Sequence, residues 1–73
     1  MPFFIVHDVP GRVRLRARYG FSLRKAQVLA DRLDAVGGIE GVRVNPRTGS
    51  VLLLYANDEA KRAAFLLLAV AAS

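Results

Sequence analysis

Apolar and polar positions alternate along this chain with two different periods. Residues 3–6, Phe3-Phe4-Ile5-Val6, are a short aromatic and β-branched run, which predicts a strand. Val9-Pro10-Gly11-Arg12 follows with turn chemistry. Proline in second place pre-sets φ, and glycine in third place supplies the positive φ of a type II turn. Over residues 12–18 the period is two. Val13, Leu15 and Ala17 are apolar, while Arg12, Arg14, Arg16 and Arg18 are basic, so a strand is expected with one face in the core and one covered in guanidinium groups. Tyr19-Gly20-Phe21-Ser22 reads as a loop, with Ser22 placed to cap a helix. Ala26, Leu29, Ala30, Leu33 and Val36 then recur at helical spacing, and Gly37-Gly38 supplies the stop. Val42-Arg43-Val44 is a second alternating strand. Asn45-Pro46-Arg47-Thr48-Gly49 is a turn, and residues 50–55 are a strand that pairs back as a hairpin. Asn57 or Asp58 can cap a last helix running from about Glu59 towards the C-terminus.

After the first short run, the order is strand, helix, hairpin of two strands, helix. That is five of the six elements of the ferredoxin-like βαββαβ motif, without its last strand. In that topology the last strand lies antiparallel beside the first, at a sheet edge. Residues 3–8 are expected to take its place, folded back onto residues 12–18 by the turn at 9–12. The alternative is one straight strand that leaves the edge open to a strand-adding partner or a dimer. The expected architecture is therefore α+β: a ferredoxin-like βαββα(β) sandwich, an antiparallel sheet with two helices on one face, in a single domain over residues 1–73.

Composition narrows the class. The chain has 73 residues, 53% of them hydrophobic and 23% charged, which suits a packed core and not a disordered tail. It has no cysteine, which excludes a disulfide scaffold and any thiolate metal site. Lys plus Arg is 11 against 6 for Asp plus Glu, a formal net charge of +5 that favours acidic partners of some kind. The N-terminus lacks the basic start of a signal peptide. The apolar run over 63–72 falls short of the roughly 20 residues a spanning helix needs. A cytoplasmic protein, or a cytoplasmic module of something larger, is expected.

The stretch Val6-His7-Asp8-Val9-Pro10-Gly11-Arg12-Val13-Arg14-Leu15-Arg16 resembles the start of the cysteine-free branch of heavy-metal-associated domains. Residues 33–55, through Gly37-Gly38 and Asn45-Pro46-Arg47-Thr48-Gly49 to Tyr55, resemble the helix end and β-hairpin of the same family. The likeness covers most of residues 5–56. It implies a ferredoxin-like domain of the kind found before the membrane part of heavy-metal-transporting P-type ATPases, or as a small protein near them. It also implies a context in metal transport or metal homeostasis, at the cytoplasmic face of a membrane. Metal-carrying members hold soft metals in a Cys-x-x-Cys loop between first strand and first helix. That loop falls at about Tyr19-Gly20-Phe21-Ser22 here, without either cysteine, so metal chaperoning by that chemistry is not implied.

Candidate chemistry is sparse. His7 is the one histidine, and a single imidazole does not close a zinc site. It is a candidate ligand for haem or a metal ion, alone or shared across a dimer. The plainer role is a strand residue bonded to Asp8 or solvent. No triad, phosphate loop or helical zinc motif is present, and no catalytic activity is expected. Asp31 and Asp34 lie near Arg24, Lys25 and Arg32, an arrangement that predicts surface ion pairs on the first helix. The arginine ladder says more. Four guanidiniums on one strand face cannot be buried unpaired. Arg43 joins the same outer face. If Val51, Leu53 and Tyr55 turn towards the helices, Leu52 and Leu54 point outward beside the arginines. Such a mixture suits a docking face for a protein partner, a metal-transporting P-type ATPase or its membrane assembly by resemblance. An RNA-recognition reading is disfavoured, since the central strands offer Arg and Leu where stacking aromatics are needed. Phosphate contacts or an anionic membrane surface are rival uses of the same charge. On the last helix, Phe65, Leu66, Leu67, Leu68 and Val70 are close enough to wrap around it. More apolar surface than one sheet face can cover predicts self-association or a partner helix. No cofactor is assigned beyond the His7 candidate.

Overall fold

The computed structural model describes residues 3–72, with side chains through Val70. Its elements are β1 (Phe3–Val9), β2 (Arg12–Ala17), α1 (Leu23–Asp34), β3 (Ile39–Asn45), β4 (Ser50–Tyr55) and α2 (Asp58–Ala72). The four strands make one sheet in the order β1-β2-β4-β3, every pairing antiparallel. This is the ferredoxin-like strand order with β1 standing where the sixth element would be. The turn that places it follows the sequence reading: Gly11 has φ +83°, a value for which glycine carries no steric cost. The strand is longer than the apolar run suggests. His7, Asp8 and Val9 all pair with β2, and the register jumps between Ile5 and His7, which leaves Val6 as a bulge.

Helix ends follow their capping residues. The Ser22 hydroxyl accepts a hydrogen bond from the Lys25 amide at 3.1 Å. Asn57 caps α2, its Oδ1 accepting from the Ala60 amide at 2.8 Å. Helix α1 stops at Asp34, before Val36. Val36 sits half-buried in the connection, where its amide bonds Leu33 at 3.1 Å. The ion pairs expected on α1 do not form. Among the described residues the salt bridge is instead Lys61 to Asp8, 3.0 Å, from α2 to β1.

Both helices cover one face of the sheet. The core joins Val13, Leu15, Val51, Leu53 and Tyr55 to Leu29 and Leu33 of α1, and to Ala60, Ala64 and Leu68 of α2. Leu29, Leu33 and Leu53 are sealed from water, each worth roughly 2 kcal/mol by transfer alone. Because inward positions on β2 and β4 are 13, 15, 17 and 51, 53, 55, the intervening residues must lie on the opposite, uncovered face. Among the described residues no helix is long and apolar enough to cross a membrane.

Candidate docking surface

Register turns the uncovered face into rows. The first row runs His7, Arg14, Leu52, Arg43 across all four strands. The next runs Val9, Arg12, Leu54, Gly41, and a third runs Phe4, Arg16, Ser50, Asn45. Arginine therefore stands beside leucine in two successive rows, and Leu52 lies between the guanidinium-bearing positions 14 and 43. Leu54 is 40% exposed and Val9 38% exposed. Arg14, Arg43, Asn45, Ser50 and Leu52 line a shallow open depression of about 570 Å³.

The charge of this face is unbalanced. Neighbouring ladder residues on β2 are spaced about 7 Å apart, where each like-charge pair repels by roughly 0.6 kcal/mol even at the dielectric of water. Asp8 lies on the helix side of β1 opposite Val13, bound to Lys61. Asp31 and Asp34 are on α1, Asp58 and Glu59 on α2, and Glu40 at the irregularity of β3. None of the three rows contains an acid. Arg16 is steadied by one bond, its Nε donating to the Thr48 carbonyl at 3.3 Å. Arg18 is exposed but is not a rung of the ladder. Strand β2 ends at Ala17, whose amide turns to the Gly49 carbonyl at 2.8 Å, and Arg18 falls in the bend beyond.

His7 does not bond Asp8, whose carboxylate oxygens both accept from Lys61 Nζ at 3.0 Å on the other side of the strand. The Asp8 hydrogen bond, with a smaller Coulombic contribution from the same carboxylate, raises the Lys61 pKa above 10.5, against a lowering by desolvation. His7 faces Arg14 in register, a cationic neighbour that opposes binding of a metal ion. Among the described residues no group of three or more His, Asp or Glu side chains is placed to hold a metal. The loop at Tyr19-Gly20-Phe21-Ser22 is built for a different contact. The Phe21 amide donates to the Pro46 carbonyl at 2.9 Å, and a Cβ on Gly20 would sit 2.6 Å from that same oxygen. The loop is pinned to the β3–β4 turn and presents no soft donor, so these residues do not fit a thiophilic metal.

On α2 the apolar residues divide. Leu68 is buried in the core, Phe65 and Leu67 pack partly against it, and Leu66 and Val70 face outward at 65% and 72% exposure. Pattern reading missed the contribution of β1 to the open face: Phe4, Val6 and Val9 are all exposed there or at its edge. The Pro10-Gly11 turn signals Val9 alone, by fixing it opposite Arg12; beyond the bulge at Val6 the parity reverses, and that is what brings Phe4 to the open face opposite Arg16.

A family model described as Heavy metal associated domain 2 matches residues 3–72, and the chain belongs to that family. No curated protein and no solved structure matches it. The family places the chain in metal-related function; its cysteine-free sequence sets it among members without the thiolate loop.

Proposed function

Taking membership in the heavy-metal-associated family as the premise, we propose that this domain is a non-catalytic docking module of metal transport or homeostasis. Its open sheet face binds an acidic, partly apolar surface on a protein partner. The family context favours a metal-transporting P-type ATPase, or its membrane assembly, met at the cytoplasmic side. The observation that supports this most directly is the pair of rows in which Arg12, Arg14 and Arg43 alternate with Leu52, Leu54 and Val9, with no acid among them. An inert solvated face does not need leucines between its charges. A phosphate-binding face needs the charges but not the leucines, and interfaces are where arginine and apolar side chains occur together.

The test is a titration of labelled protein with an acidic amphipathic peptide, followed by backbone amide shifts. The peptide should move the amides of Arg14, Arg43, Leu52 and Leu54. Affinity should fall at least about tenfold when Arg12, Arg14, Arg16 and Arg43 are changed to glutamine. A lysine-for-glutamate version of the peptide should not bind. Tighter binding to a single-stranded oligonucleotide, collapsing steeply with salt, would favour nucleic acid and defeat the proposal. Shifts confined to α2 would defeat it too.

A further inference from the structure

We propose that the free edge of β1 is a self-association edge, pairing antiparallel with β1 of a second copy of this chain. The sheet order leaves two edges, β1 and β3. Edge strands carry unpaired backbone groups, and proteins blunt them with charge, proline or irregularity. Strand β3 is blunted by charge, since it carries Glu40 and Arg43. Strand β1 is not defended by charge. Its seven residues include no lysine, arginine or proline, and its one acid, Asp8, is held by Lys61 from the helix side. Phe4, Ile5 and Val6 are 48%, 54% and 57% exposed. The bulge at Val6 twists the strand but leaves paired residues on both sides of it.

The occupant follows from what the edge offers. It carries no lysine or arginine to meet an acid, and its one carboxylate is already paired with Lys61, which disfavours the acidic partner that suits the open face. An apolar strand is self-complementary when a twofold axis sets it antiparallel to itself. That axis must stand perpendicular to the sheet, so the two arginine faces come to lie on the same side and the helices on the other. The net charge of +5 does not forbid the pairing. Strand β2 of one copy and β2 of the next are separated by three strand spacings, about 14 Å, beyond the screening length of about 8 Å at physiological salt. A single strand pair buries less than a standard interface, so the dimer is weak, with a dissociation constant on the order of 0.1 mM.

Analytical ultracentrifugation of the full chain up to about 1 mM tests this. Wild type should pass from monomer to dimer mass. Ile5→Lys places an edge lysine away from the arginine rows and should weaken the dimer at least tenfold with unchanged circular dichroism. Leu66→Glu, on the outward side of α2, should leave it intact. A wild type that stays monomeric would overturn the proposal, as would a dimer that survives Ile5→Lys. Should Ile5→Lys fail to fold, hydrogen exchange of wild type decides. Protection that rises with concentration in β1 supports the edge, and its absence there refutes it. The four-glutamine variant, which tests docking, should dimerise normally, so the two readings fail separately.

Discussion

Lys61 serves three partners from one position on α2. Its ammonium bonds both Asp8 oxygens and lies 5.6 Å and 5.7 Å from the ring centres of Tyr55 and Phe65. The pair is partly open to water, with side chains 22% and 39% exposed, so screening limits its worth. Lys61→Met should cost about 1 kcal/mol in urea unfolding at neutral pH. The sign with pH follows from the raised pKa. The bond's contribution is complete below 10.5, the value for the unfolded chain, and disappears as pH climbs through the higher folded value. Wild-type and Lys61→Met stabilities should therefore converge in strongly alkaline solution and stay parallel between neutral pH and 10.5. Gly20 is the second residue with a sharp expectation. Its added methyl would meet the Pro46 and Arg47 carbonyl oxygens at 2.6 Å and 2.7 Å, backbone atoms that cannot rotate away. Gly20→Ala should lose about 2 kcal/mol in thermal unfolding.

Among the elements, α2 separates what a pattern can and cannot reveal. Its leucines draw attention, but the surface that meets the sheet is set by Ala60, Ala64 and Leu68, which follow one another by fours after the Asn57 cap bonds the Ala60 amide. Small residues let the helix approach, which hydrophobicity alone does not signal. Neighbouring leucines therefore differ: Leu68→Ala should cost about 3 kcal/mol, while Leu66→Ala should stay within about 0.5 kcal/mol, both read from denaturant midpoints. The β2 ladder was readable because strict alternation beside a polar face admits one orientation. The outward turn of Leu52 and Leu54 was readable through the same parity in β4. The bulge at Val6 was not, since an extra residue in a run of apolar side chains leaves the pattern unbroken. Nor was the true partner of Asp8, because Lys61 lies far along the chain and is brought near only by the packing of α2.

At the scale of the whole molecule, the arginines concentrate like charge on one layer while the acids sit on the other side or at its margin. Stability should rise with added salt between about 0.05 M and 0.5 M, as the ladder repulsion is screened. Changing Arg12, Arg14, Arg16 and Arg43 to glutamine should flatten that dependence, measured by melting temperature at each salt concentration. The position of β1 bears on how the chain reaches this arrangement at all. In the six-element order the edge strand is synthesised last and must return across the whole length to find its neighbour. Here it is made just before its neighbour, and its widest pairing is Phe3 with Ala17. Closing so short a loop sacrifices little chain entropy, and hairpins form within about 10 μs. The slow closure is left to β2 and β4, where Leu15 must find Val51. The short separation lets this edge strand pair early, and a nascent chain can cover one edge of β2 while the rest is still being made.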